Sequence, residues 1–103
     1  MSEKQLRLDI FFLDIADRIS KMSYARKLKV GNVLEKNGNI ISMGWNGMPA
    51  GMDNNCEYVL EDGTLKTRME VSHAESNCLL KLAMGGGAGS EGATLYATHP
   101  PCP

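Results

Sequence analysis

At 103 residues, 43% of them hydrophobic, the chain has room for one small domain with its own core. A formal net charge of −1 supplies no basic stripe for duplex nucleic acid, and no apolar run approaches the roughly 20 residues of a membrane span. Three cysteines without short regular spacing argue against a disulfide framework and for a reducing compartment, and Met1-Ser2-Glu3-Lys4 has no secretory pattern, so a cytoplasmic location is expected.

Residues 6–22 keep Leu8, Phe11, Phe12, Ile15, Ile19 and Met22 on one stripe, with Asp9, Asp14, Asp17, Arg18 and Lys21 filling the other side. That period predicts an amphipathic helix lying against a sheet. Tyr24 to Lys29 is a basic connector. It is either a solvated loop or an anion site, since Arg26, Lys27 and Lys29 put three cations within four residues. Residues 29–36 and 39–45 read as two strands joined by Asn37-Gly38, a strong hairpin signal. Gly31 and Gly44, inside those strands, mark places where a backbone or a ligand comes close.

Asn46-Gly47-Met48-Pro49-Ala50-Gly51 follows the second strand as an ordered loop. At the strand end the Asn46 carboxamide can both donate to and accept from a sugar hydroxyl. The alternative is that Asn46-Gly47 is a plain turn. Residues 53–68 are polar, with a turn at Asp62-Gly63, and are expected to hold at most short structure. Ala74, Cys78, Leu79, Leu82 and Ala83 then recur at helical spacing until Gly85-Gly86-Gly87 stops the helix. A linker over 88–92 and a strand over 93–98 follow. His99-Pro100-Pro101-Cys102-Pro103 reads as the start of another helix, whose positive end favours a thiolate at Cys102.

The chemistry is concentrated in His73-Ala74-Glu75 and Pro101-Cys102. His-x-Glu with a later Pro-Cys-x-x-Cys is the pattern of a zinc site that activates water beside a proton-shuttling carboxylate. His73 would bind the metal, Glu75 would stay off it and move protons, and Cys102 would be a second ligand. Catalytic zinc uses three protein ligands, and the pattern's last Cys falls beyond Pro103. Residues two apart on a helix point about 200° away from each other. Glu75 therefore meets the same water only if His73 stands at the very start of the helix. Cys78 falls on that helix's apolar face as a core residue, and Cys56 is read as structural too.

These residues resemble the deoxycytidylate (dCMP) deaminases of the zinc-dependent cytidine deaminase superfamily, from about Lys29 to Pro103. The resemblance is carried by the strand Lys29-Val30-Gly31-Asn32-Val33-Leu34 and the loop Gly44-Trp45-Asn46-Gly47-Met48-Pro49-Ala50-Gly51. It continues through His-Ala-Glu and through Gly92-Ala93-Thr94-Leu95-Tyr96-Ala97-Thr98 leading to the Pro-Cys. It implies an α/β fold, a three-layer α/β/α domain with a mixed central sheet. Residues 1–103 would form one such domain, incomplete because it stops just before the last zinc-ligand Cys and lacks C-terminal helices and strands.

It implies zinc-dependent (Zn2+) hydrolytic deamination of dCMP to dUMP, supplying thymidylate synthesis, in a hexamer activated by dCTP and inhibited by dTTP. By the same resemblance His73 and Cys102 hold the metal, Glu75 shuttles protons, Asn46 reads the deoxyribose and the backbone at Ala74 meets the pyrimidine. Phosphate or effector contacts are expected at Arg26, Lys29, Gly47 and Gly51, and His99 is expected to line the pocket or orient a loop. Two other readings stay open. One is another zinc deaminase, acting on a nucleoside, a nucleobase or tRNA. The other is a metal-free, non-catalytic fragment that buries its sheet against a partner.

Overall fold

Ser2 sets the start of the first helix. Its backbone is extended, and its Oγ accepts the Gln5 N–H at 3.0 Å, which satisfies one of the four donors a helix leaves open at its start. The computed structural model describes residues 2–49, 51–84, 89 and 91–99. In it α1 spans Glu3–Ser20, beginning and ending a few residues before the apolar stripe does. The stripe also divides unevenly. Phe12, Ala16 and Ile19 are buried, whereas Phe11 is 54% exposed and Met22 lies outside the helix.

Two strands follow, β1 (Gly31–Lys36) and β2 (Asn39–Trp45), paired antiparallel. Asn37 (φ 54°) and Gly38 (φ 83°) both take positive φ between them, as a type I′ two-residue hairpin turn requires. The polar stretch after the loop forms a small second hairpin, β3 (Glu57–Val59) and β4 (Leu65–Thr67). Its turn is closed by the Asp62 carboxylate, which accepts from the N–H and the hydroxyl of Thr64 at 3.0 and 2.6 Å. Helix α2 covers Ala74–Met84, and β5 (Thr94–Ala97) pairs antiparallel with the free side of β1. The main sheet thus runs β2-β1-β5. The resemblance implies a mixed sheet, and both ladders of this sheet among the described residues run antiparallel.

Strand alternation sorts the two helices onto opposite faces. Gly31, Val33, Trp45 and Tyr96 share one face by register, and there Phe12, Ala16 and Ile19 of α1 pack with Val33 and Tyr96. Asn32, Leu34, Ser42 and Gly44 share the other, where the Ser42 hydroxyl donates to the Cys78 carbonyl of α2 at 2.6 Å. The result is the helix–sheet–helix layering expected of an α/β domain.

Each helix is seated on one strand glycine. A Cβ at Gly31 would lie 2.2 Å from the Ala16 carbonyl oxygen, and one at Gly44 would lie 2.4 Å from that of Ala74. Both glycines admit a backbone, one of the two reasons the sequence offered for them. The Tyr96 hydroxyl adds a polar tie, donating to Asp9 Oδ1 at 2.6 Å between β5 and α1. Among the described residues no helix is long and apolar enough to cross a membrane.

Candidate active site

The N-terminus of α2 opens into a cleft of about 280 Å3 beside the ends of β1 and β2. His73 precedes the helix, and its carbonyl accepts the Asn77 N–H at 3.0 Å, so it is the capping residue and not yet helical. This is the break in geometry that the His-x-Glu spacing requires. His73, Ala74 and Glu75 all line the cleft. Ala74 is buried beneath it, and as the first helical residue its N–H has no partner within the helix.

The loop after β2 is stitched to the same place. Gly47 and Ser72 exchange backbone hydrogen bonds in both directions, at 3.1 and 2.8 Å, which fixes the Asn46 loop against the residue before His73. The Gly47 N–H is therefore already donated. Gly51 (φ 85°) takes its place in a turn beyond the cleft, where the Met52 N–H meets the Pro49 carbonyl.

Asn46 does line the cleft, with its carboxamide engaged. Oδ1 accepts from the Val30 N–H at 2.9 Å and Nδ2 donates to the Leu28 carbonyl at 2.8 Å. It carries strand pairing past the end of β1, and each amide atom keeps one further hydrogen-bonding position. His99 also lines the cleft, next to Thr98, whose Oγ1 accepts the Gly31 N–H at 3.1 Å.

The basic connector folds around an anion that belongs to the protein. Glu57, 1% exposed, receives the backbone N–H groups of Arg26 and Lys27 on one oxygen at 2.9 and 3.1 Å, and the Arg26 Nε on the other at 3.3 Å. Burial pushes the Glu57 carboxyl up, but these donors outweigh it and hold the group below its ordinary value. Arg26 reaches on to Asn55 Oδ1 at 3.0 Å, and the Lys29 ammonium donates to the Ser23 carbonyl.

Of the three cations only Lys27 lines the cleft, and its ammonium meets no carboxylate at ion-pair distance among the described residues. Sequence reasoning missed Glu57, because nothing in a polar loop says that its one fully buried carboxylate will face residues about thirty positions earlier. Burial raises the thiols of Cys56 and Cys78, which keeps both protonated as structural cysteines.

His73 and Glu75 are thus brought together, with Asn46 and Ala74 beside them. Cys102 lies outside the described residues, and among the described residues no three His, Cys, Asp or Glu side chains form a metal-holding group. A nitrogen ligand and a carboxylate at one cleft fit the zinc pattern as far as they go.

A profile of the cytidine and deoxycytidylate deaminase zinc-binding region matches residues 6–103. The deoxycytidylate deaminase of Enterobacteria phage T4 is 34% identical across 88% of the chain, and the chain spans only 66% of that relative's length. The deoxycytidylate deaminase of Mycobacterium phage D29 is 33% identical across 91% of the chain, which spans 79% of it. The dCMP deaminase of cyanophage S-TIM5, solved in complex with dCMP and dUMP, superimposes with a TM-score of 0.82 at 38% identity, covering 99% of the chain and 70% of that structure. In sequence and in fold, then, the chain belongs to the family of the cytidine and deoxycytidylate deaminase zinc-binding region.

Proposed function

We propose that the whole protein deaminates dCMP to dUMP by hydrolysis. The observation that carries this reading is the start of α2, where a capping His73 and a first-turn Glu75 share one cleft with Asn46 and Lys27. Zinc, which the family binds, would be held by His73 with Cys102 and a ligand beyond Pro103, and would supply the Lewis acidity that lets water lose a proton near neutral pH. Glu75 takes one proton from the water and gives it to the ring nitrogen, where it stays, and then carries the second, from the hydroxyl formed on C4, to the departing amine. The oxygen of water bonds to C4 of cytosine as the C4–N bond breaks and ammonia leaves. The Ala74 N–H is a donor for the ring, and the open positions on the Asn46 amide are left for the deoxyribose hydroxyl.

Phosphate reading falls to Lys27. Arg26 and Lys29 are committed to partners within the protein, whereas Lys27 lines the cleft with its backbone fixed by Glu57 and its ammonium paired with no carboxylate among the described residues. A hydrogen bond to a charged group contributes roughly 1.5–3 kcal/mol, so Lys27→Ala should cost about one to two decades in kcat/KM for dCMP. The same substitution should leave deoxycytidine unchanged. Equal losses for both substrates would remove Lys27 from the role, and absence of dCMP turnover in the whole protein would remove the activity itself.

Arg26, Lys29, Gly47 and Gly51 lie outside the lining of the cleft and are left, in this reading, to effector control by dCTP and dTTP. A cytoplasmic hexamer feeding thymidylate synthesis completes it. Sedimentation with each effector, beside activity titrations, tests that part.

A further inference from the structure

We infer that Asn32 is a positioning residue for Glu75, holding the first turn of α2 against β1 so that the carboxylate faces the cleft. This rests on the deaminase reading for the role of Glu75, and on the geometry alone for the contact. Asn32 stands in β1 with 0% exposure, although asparagine is disfavoured in strands and a buried amide needs partners. It shares its face with Leu34 and Gly44, the side covered by α2.

With Oδ1 toward α2, the amide accepts the Glu75 N–H at 2.6 Å while Nδ2 donates to the Gly31 carbonyl at 2.8 Å. The reverse placement sets Nδ2 at 3.3 Å from Glu75 Oε2, but it aims an NH2 group at an N–H. The first satisfies every atom. The Glu75 N–H is one of the donors a helix start leaves without an internal partner, and here a strand side chain supplies the acceptor.

The register adds a second constraint at the same spot. Asn32 lies directly across from Gly44, whose missing side chain seats the Ala74 carbonyl. The turn carrying His73, Ala74 and Glu75 is therefore seated on one strand and hydrogen-bonded to its neighbour. A satisfied core amide with no bearing on catalysis is the competing view. It predicts lost stability and nothing else.

The test uses the whole, zinc-loaded protein with Asn32→Leu, which keeps the approximate size and removes both hydrogen bonds. Hydrogen exchange at the Glu75 amide should quicken by about tenfold or more while the Cys78 amide stays as in the parent. In the folded enzyme kcat for dCMP should fall by about tenfold or more, with KM moved less than about threefold. If the leucine variant does not fold, Asn32→Val, which suits a strand and offers no acceptor, is read in the same way.

Unchanged exchange at Glu75, or a lower melting temperature with kcat intact, would overturn the inference. A parent protein with no dCMP turnover would instead sink the deaminase reading and with it the catalytic part of this one. The exchange measurement needs no substrate and would still decide whether Asn32 holds the Glu75 amide.

Discussion

Gly44→Ala tests whether the helix seat sets the catalytic geometry. The added methyl would stand 2.4 Å from the Ala74 oxygen, 2.6 Å from the Cys78 nitrogen and 3.0 Å from the Cys78 Cα, all of them backbone atoms of α2 that cannot rotate away. Carbon contacts settle at roughly 3.5 Å or more, so α2 must retreat by about 1 Å. Overpacking of this kind costs about 1–3 kcal/mol, a fall in Tm of at least about 4 °C in a domain of this size. Ala74 is flanked by His73 and Glu75, and a misplacement near 1 Å can cost on the order of a hundredfold in rate.

Gly31→Ala is the control. Its methyl would meet Ala16 and Ser20 of α1 at 2.2 and 2.5 Å, but α1 contributes nothing to the cleft lining. The assay is dCMP turnover by the folded, zinc-loaded whole protein, beside thermal unfolding of both variants. Both should melt lower, and only Gly44→Ala should lose about two decades of kcat. Wild-type turnover in Gly44→Ala, or equal losses in the two, would refute the link from seat to site.

Glu75→Gln should bind nucleotide as the parent does and lose about 10²–10⁴-fold in kcat, since an amide cannot carry the proton; binding and turnover measured side by side decide it. The depressed Glu57 carboxyl contributes stability that is present above about pH 4.5 and lost as pH falls through its lower folded value. Melting temperature against pH should therefore drop more steeply in acid for the parent than for Glu57→Gln, which starts lower at pH 7. Tyr96 is pushed up to about 12 by its hydrogen bond to Asp9, by burial and by the charges of Asp9 and Glu35. Its contribution is complete below pH 10 and disappears between pH 10 and about 12, an alkaline slope that Tyr96→Phe should abolish.

What the sequence made legible was local. Asn37-Gly38 gives the hairpin because Asn and Gly tolerate the two positive φ angles of a type I′ turn, whose twist matches that of the flanking strands. The two-residue spacing of His73 and Glu75 demanded a helix beginning between them, and α2 begins at Ala74. The apolar stripe located α1 but not which of its residues lie inside, because Ala16 is buried only where Gly31 lets two backbones meet.

Pairing across long separations was hidden. Arg26 reads as a solvated cation or as part of an anion site until Glu57, 31 residues on, is brought beneath it. Asn32 did leave a signal. Val30 and Leu34 put its position on an apolar face of β1, where a lone amide requires a partner, and only the packing of α2 shows that the partner is Glu75.

The connector shows how one buried carboxylate can sort three similar charges. Consecutive N–H groups of Arg26 and Lys27 converge on one Glu57 oxygen, so the chain turns there. Arg26 folds back onto the same carboxylate, neutralising a group that would otherwise repel an anion at the cleft. Lys29 is tied to the Ser23 carbonyl, and the Ser23 hydroxyl in turn donates to the carbonyl of Asn46 at 2.7 Å. That leaves Lys27, of the three cations, lining the cleft together with Glu75, the pair to which the proposed reading gives the phosphate and the proton. If Lys27 reads the phosphate, discrimination between nucleotide and nucleoside depends on Glu57 as well. Without that carboxylate Arg26 is released and the Lys27 backbone is no longer fixed.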